Sequence, residues 1–188
     1  EYLDALHAVD IDAKIRGVPV EILTAIPFAE DTEHHTYDAE RANRWWRVMV
    51  QTDRLLKTFR GRFTGKASPA HFFWGSFDIA ATRFSGRSAP EFSGVVPNCP
   101  DYVMKEAYSR ECSSCGFWPG GDGQDAAFYS YAYPEPDGYK DYRISSESAY
   151  YDETLREFVL PYETMRTSSS PDDTLLTFLQ TTYEAAAD

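Results

Sequence analysis

The segment from His71 to Phe84 holds the residues best suited to chemistry, and its aromatic and branched composition predicts one long β-strand with a glycine inside it. Alternate side chains of a strand point to opposite faces, so His71 and Arg83 share one face and Asp78 lies on the other. Asp78 is then surrounded by aromatic and small residues, where an ionised carboxylate needs a partner. An unpaired carboxyl suits acid–base catalysis and a paired one only stabilises the sheet, and the pattern leaves both interpretations open.

Three further side chains extend this candidate site. His71 can transfer a proton or bind a metal ion, although it also fits a purely structural role. Arg83 can hold a carboxylate or phosphate through its guanidinium group, so we predict that it binds the substrate. Glu111 is a second candidate acid or base. The predicted catalytic residues are His71, Asp78 and Glu111.

Metal binding is another chemistry open to the histidines. His34 stands in a polar loop that also contains carboxylates and a second histidine, and nitrogen and oxygen ligands of this kind suit a divalent cation. His71 or Glu111 could complete such a site. The three cysteines lack the second closely spaced pair that a zinc site requires. The predicted metal ligands are therefore His34 and His71, and a divalent cation is the cofactor that the sequence leaves open.

Aromatic residues make up 15% of the chain and occur in clusters. Tyr129, Tyr131 and Tyr133 alternate with small residues, so the three phenols line one face of a strand. Packing between neighbouring strands explains such a row, and an aromatic wall beside a ligand explains it as well. On the second interpretation we predict that Tyr129 and Tyr131 contact a substrate.

The charge balance restricts the partners that the protein can have. The chain of 188 residues has 18 lysines and arginines against 30 aspartates and glutamates, which gives a net charge of −12. Such an acidic protein is a poor partner for nucleic acid or for an anionic membrane surface. From Lys57 to Arg87, however, six basic residues accompany one acidic residue. This local positive charge predicts a small anionic ligand, or alternatively a solvated surface paired with neighbouring acids.

Two amphipathic helices accompany the strands. Asp38 is a candidate N-cap for a helix over residues 38–60, and a second helix over residues 171–187 begins with a proline followed by two aspartates. The apolar stripe of the first helix consists of Trp45, Met49, Leu56 and Phe59, widened by Trp46 and Val50. Two or three helices that cover a mainly antiparallel, aromatic-rich sheet give an α+β fold.

Length and composition predict a single cytoplasmic domain. With 43% hydrophobic and 26% charged residues, the chain has the composition of a folded protein and is long enough for one core. No apolar run is long enough to cross a membrane, and no signal peptide is visible at the start. Three cysteines are too few for a disulfide framework and fit a reducing compartment.

Four motifs resemble an uncharacterised, mostly bacterial family that is catalogued as a domain of unknown function. They are FTGKASPAHFFWGSFD, TRFSGR, GFWPGG and FYSYAYPEP. The resemblance implies that members are longer, with a β-rich segment ahead of the helix that begins here. We therefore expect residues 1–188 to be the C-terminal part of a longer protein, and we expect contact with that segment or with a second copy of the chain. Trp74 and Glu135 belong to these motifs and join the predicted substrate-binding residues.

The sequence predicts a soluble enzyme that acts on a small anionic molecule by acid–base or metal-assisted chemistry. The alternative is a non-catalytic small-molecule-binding or assembly module, in which the same polar residues only tie the sheet together. An enzyme should bring at least two of these residues together in an open pocket, whereas a module should hold them in separate pairs with no cavity beside them. The residues that decide between the two are His34, His71, Asp78, Arg83 and Glu111.

Overall fold

A computed structural model describes residues 1–121, 123–146 and 148–187, which form six strands in one sheet and five α-helices. In chain order these are α1 (Tyr2–His7), α2 (Ala39–Gly61), β1 (His71–Phe73), β2 (Asp78–Ser88), α3 (Asp101–Ala107), β3 (Arg110–Trp118), β4 (Ala127–Tyr133), β5 (Tyr150–Asp152), β6 (Glu157–Pro161), α4 (Tyr162–Arg166) and α5 (Pro171–Ala187). The strands lie in the order β1-β2-β3-β4-β6-β5, and every neighbouring pair is antiparallel. This architecture confirms the predicted α+β class.

Helices α2 and α5 cover one face of the sheet. Asp38 begins α2 as predicted, because its carboxylate accepts a hydrogen bond from the backbone N–H of Arg41 at 3.0 Å. The helices and the sheet together bury an apolar core that includes Leu56, Phe59, Phe117, Phe128, Leu175 and Phe178. Trp46 and Val50 are exposed, so the prediction that they widen the stripe is wrong: they lie about 100° around the helix from the neighbouring stripe residues. No described helix is long and apolar enough to cross a membrane.

The segment predicted to be one strand is a hairpin instead. Strands β1 and β2 are joined by a turn over residues 74–77, and Phe73 lies directly opposite Asp78. Residues that lie opposite each other in antiparallel strands project to the same face. The turn therefore brings His71 and Phe73 to the face of Asp78 and leaves Arg83 on the other face.

The second face of the sheet is covered only in part. Residues 16–22 and the segment that contains α3 pass over it as a roof. Two hydrogen bonds join these two segments: the N–H of Glu21 donates to the carbonyl of Pro97 at 2.7 Å, and the side-chain amide of Asn98 donates to the carbonyl of Ile22 at 2.6 Å. The space between this roof and the sheet forms an open cavity.

Candidate functional site

The cavity between the roof and the sheet has a volume of about 1390 Å³, which is large enough for a small organic molecule. Its floor is made by the side chains that alternate toward the face opposite α2 and α5, among them Asp78, Thr82, Ser114, Tyr129, Tyr131 and Glu157. Its roof includes Val20, Glu21, Val96, Val103, Met104 and Tyr108. The alternation of each strand thus separates the apolar core from a floor that carries both polar and aromatic side chains.

Asp78 is the most tightly held polar group of the floor. Its side chain is only 6% exposed, and its two carboxylate oxygens accept hydrogen bonds from the hydroxyl groups of Ser76 and Tyr129. Burial and the charge of Asp78 raise the pKa of Tyr129 well above its usual value. The phenol therefore stays protonated and donates a hydrogen bond to the carboxylate. These two donors fix the orientation of the Asp78 carboxylate in the cavity.

Gly116 makes the bond between Tyr129 and Asp78 geometrically feasible. It lies on β3, between the strands that carry the two partners, and its Cα faces Tyr129 across the β3–β4 pair. A Cβ added at Gly116 would lie 2.5 Å from both the Tyr129 hydroxyl and the carbonyl oxygen of Ile79. Only glycine leaves room for the tyrosine ring to cross β3 at this position.

A second polar row crosses the floor beside the first. The hydroxyl groups of Thr82 and Ser114 lie 2.9 Å apart, and those of Tyr131 and Tyr108 lie 3.0 Å apart. Burial is the main reason why the pKa values of Tyr108 and Tyr131 are raised, so both phenols are neutral donors at physiological pH. The floor therefore offers hydroxyl groups to a ligand.

The ionisable side chains around the cavity are mainly acidic. Among the residues that the structure describes, five carboxylates line it against one guanidinium group, that of Arg16; they belong to Glu21, Asp78, Asp125, Asp152 and Glu157. Glu157 lies opposite Asp152 in the β5–β6 pair, and burial, followed by the charges of Asp152 and Asp78, raises the pKa of Glu157 to about 7. Burial is the larger cause and the negative charge of Asp78 the smaller cause of a raised pKa at Glu21. Burial is the main cause of both shifts, and the charges of neighbouring carboxylates add to it.

The comparison with known families identifies this chain at the level of the family. The family model described as a family of unknown function (DUF5996) matches residues 1–188. The chain belongs to this family. No curated protein and no solved structure matches it. The finding confirms the resemblance to a domain of unknown function.

Four of the predicted site residues line the cavity of this DUF5996 domain: Trp74, Asp78, Tyr129 and Tyr131. His71 shares their face of the sheet, but its side chain is exposed and lies against the ring of Phe73 with 4.0 Å between ring centres. It makes no contact that ties it to Asp78. The hairpin thus brings His71 to the correct face but to the edge of the sheet.

Arg83 lies on the opposite face, inside the core. Its side chain is 4% exposed, and its guanidinium carbon lies 3.5 Å from the ring centre of Phe59, 4.3 Å from that of Tyr183 and 4.9 Å from that of Phe63. A guanidinium nitrogen donates to the carbonyl of Phe59 at 2.5 Å. The prediction that Arg83 binds the substrate of the Asp78 site is therefore corrected: the alternation of β2 directs it into an aromatic box beneath the helices.

The remaining predicted residues have partners of their own outside the cavity. Glu111 accepts hydrogen bonds from Arg87 at 2.7 Å and Ser85 at 2.8 Å, at the far end of the sheet. Glu135 accepts a hydrogen bond from Tyr151 at 2.6 Å. His34 is exposed and lies 2.8 Å from Asp31. The predicted catalytic set of His71, Asp78 and Glu111 is thus not brought together.

The metal prediction gains no support from the geometry. Within the described residues, no group of three or more histidine, cysteine, aspartate or glutamate side chains could hold a metal ion. His34 and His71 each have separate neighbours, Asp31 and Phe73. Their spacing along the chain does not report whether the loop and the sheet edge meet.

Four acidic residues of the site were not predicted from the sequence: Glu21, Asp125, Asp152 and Glu157. Strand β6 is short, and its three consecutive apolar residues, Phe158, Val159 and Leu160, fit a buried segment of either a helix or a strand. The signal that could have identified it is the clustering of β-branched and aromatic residues before Pro161. Glu157 would then have been placed on the face opposite Phe158.

Replacing Arg83 by lysine is expected to lower the free energy of unfolding by about 3 kcal/mol, because a lysine ammonium cannot stack between three rings and donate to Phe59 at once. Urea denaturation measures the change, with the exposed Arg143→Lys as control. Equal stabilities of Arg83→Lys and Arg143→Lys would contradict the structural role given to Arg83.

The cysteines of β3 are expected to be unreactive in the folded protein. Burial raises the pKa of Cys112 to about 11 and that of Cys115 to about 12, so both thiols are protonated at neutral pH. We expect iodoacetamide to alkylate Cys112 at least about tenfold more slowly in the native protein than in urea. Mass spectrometry of timed samples checks this rate, and equally fast labelling in both states would contradict the burial of Cys112 at the cavity floor.

Proposed function

We propose that this domain binds, in the cavity on the sheet, a small molecule that carries a protonated amine and an apolar body. The observation that carries the proposal is the composition of the cavity wall: five carboxylates and one guanidinium group surround a floor and roof rich in aromatic rings. A cation is attracted to such a site both by the carboxylates and by the faces of the rings.

The polar end of the proposed ligand is best matched by Asp78. Each of its carboxylate oxygens already accepts one hydroxyl hydrogen, and each retains a lone pair for a further donor. An ammonium group supplies several donors and a positive charge, and the low exposure of Asp78 strengthens such a bond. The orientation of the carboxylate is set before the ligand arrives, which lowers the entropic cost of binding.

The apolar end of the ligand is matched by the aromatic side chains of the same cavity. Trp74, Trp118, Tyr129, Tyr131 and Tyr150 all line it, together with apolar residues of the roof. Trp74 is 79% exposed and Tyr150 is 50% exposed. Such exposure is unfavourable for large aromatic residues unless another molecule covers them. A ligand with an aromatic or aliphatic body would remove these rings from water.

The preference for a cation replaces the anionic substrate predicted from the sequence. That prediction relied on Arg83, whose guanidinium group is enclosed by Phe59, Phe63 and Tyr183 on the other face of the sheet. An anion in the cavity would meet a net negative wall and only Arg16 as a counter-charge.

Calorimetric titration with tryptamine, a small arylalkyl amine, tests the proposal. We expect Asp78→Asn to weaken tryptamine binding by at least about tenfold, because the variant loses a charge-assisted hydrogen bond. Asp137→Asn is the matched control, since Asp137 is exposed and does not line the cavity. Binding that is equally strong in both variants, at equal thermal stability, would contradict the role of Asp78.

Acid–base catalysis on the bound molecule is a second candidate function, and Glu157 is the observation that favours it. A carboxyl with a pKa of about 7 at the cavity wall can both donate and accept a proton near neutral pH. Mass spectrometry of an amine-containing metabolite extract incubated with the protein tests this function. Consumption of a compound by the native protein but not by Glu157→Gln supports catalysis, and an unchanged extract supports binding alone.

A further inference from the structure

A second concave surface lies on the other side of the molecule, between α2 and the corner where α4 meets α5. Its volume is about 630 Å³. Of the described residues that line it, four are arginines, Arg44, Arg47, Arg54 and Arg166, and one is a carboxylate, Asp172. A positive groove of this kind contrasts with the net charge of −12 of the whole chain.

Helix geometry explains why the arginines of α2 converge on this groove. Arg44, Arg47, Gln51 and Arg54 follow one another at steps of three, four and three, so they share one face of the helix. Arg54 is neutralised by Asp172 at 2.8 Å, and Arg166 is neutralised by Glu163 at 2.5 Å. Within the part of the chain that the structure describes, no carboxylate lies within salt-bridge distance of Arg44 or Arg47.

The groove also offers an apolar surface next to these two guanidinium groups. Leu55, Phe128 and Met165 form a buried floor, and Trp46 and Val50 lie at the rim with 56% and 43% of their surfaces exposed. An exposed tryptophan beside unpaired arginines is typical of a binding surface rather than of a solvated helix face. A purely apolar ligand would not account for the two arginines, and a purely charged ligand would not account for the exposed tryptophan.

We propose that this groove binds a small molecule with an oxyanion, a phosphate or a carboxylate, attached to a planar apolar body. Arg44 and Arg47 supply the paired N–H groups that recognise an oxyanion, and Trp46 and Val50 cover the apolar part. The site is separate from the sheet cavity: the two share no lining residue, and their charges are opposite.

Titration of the protein with naphthyl phosphate, with naphthol as the uncharged analogue, tests the groove. We expect naphthyl phosphate to bind and the double variant R44E/R47E to weaken it by about ten- to hundredfold, because two charge-assisted contacts are replaced by repulsion. Arg143→Glu is the control for charge, since Arg143 is exposed and lies outside the groove. Circular dichroism verifies that every variant is folded.

The outcomes separate the proposal from its alternatives. Loss of binding in R44E/R47E but not in Arg143→Glu, together with weaker binding of naphthol, supports the groove. Inorganic phosphate alone should bind more weakly than naphthyl phosphate, because it has no apolar body to cover Trp46. Binding that survives R44E/R47E, or naphthol binding of equal strength, would overturn the proposal. The absence of naphthyl phosphate binding at millimolar concentration would overturn it as well.

Discussion

Replacing Gly116 by valine is expected to lower the free energy of unfolding by about 3–5 kcal/mol and to abolish binding in the sheet cavity. The space above Gly116 is occupied by the ring of Tyr129 on its way to Asp78, and the Ile79 carbonyl lies as close as the tyrosine hydroxyl. A valine side chain has to displace the ring, the backbone of β2, or both. The buried carboxylate of Asp78 then loses one of its two donors.

Urea denaturation of Gly116→Val and Gly17→Val compares the loss of stability at a glycine whose Cβ position is occupied by other atoms with that at a glycine whose Cβ position is empty. A Cβ at Gly17 meets nothing within 4 Å, so this control reports the general effect of a valine. Tyr129→Phe isolates the lost hydrogen bond, and we expect its effect to be smaller than that of Gly116→Val because the ring keeps its place. Equal stability of Gly116→Val and Gly17→Val would show that Tyr129 does not cross β3 as described.

Replacing Glu157 by glutamine is expected to stabilise the protein by about 2–3 kcal/mol at about pH 8 and to have little effect at about pH 5. The pKa of Glu157 is about 7 in the folded protein and close to the ordinary glutamate value of 4.5 in the unfolded chain. Between these values the folded state holds the proton more tightly than the unfolded state. The contribution of Glu157 to stability therefore falls as pH rises from about 4.5 to about 7.

The measurement is the difference in free energy of unfolding between the native protein and Glu157→Gln across this pH range. Glutamine stays neutral at every pH, so the difference should grow with rising pH and become constant above about 7. Glu30→Gln, at an exposed loop position, serves as the control for the loss of a carboxylate elsewhere on the protein. A difference that does not change with pH would contradict the burial of Glu157 near the charges of Asp152 and Asp78.

Local patterns were sufficient to predict helices α2 and α5 and the fold class. The stripe of Met49, Leu56 and Phe59 fixed the buried face of α2, and the carboxylate of Asp38 marked its start. These features depend on neighbours a few residues apart, which a sequence displays directly. The exposure of Trp46 follows from its position about 100° around α2 from Trp45, whereas the groove beside it depends on the corner between α4 and α5, which no local pattern reports.

The candidate site was predictable only in part. Alternation along β2 correctly separated Asp78 from Arg83, yet both were assigned to one substrate because charge suggested a single site. The hairpin between β1 and β2 was missed, since both arms are rich in aromatic residues and a four-residue turn preserves the appearance of a continuous strand. Glu21 and Glu157 reach the cavity through tertiary contacts between distant segments, and no local pattern reports such contacts.

The most direct test of the proposed cation site is a comparison of tryptamine with indoleacetate, which have similar size and the same ring but opposite charge. NMR titration of the protein, with the shifts of the Trp74 and Trp118 indole groups as the readout, locates the binding in the sheet cavity. Tryptamine should shift both signals at a concentration at least about tenfold lower than indoleacetate. Equal binding of the two compounds, or preferential binding of indoleacetate in the cavity, would contradict the assignment of a cationic ligand.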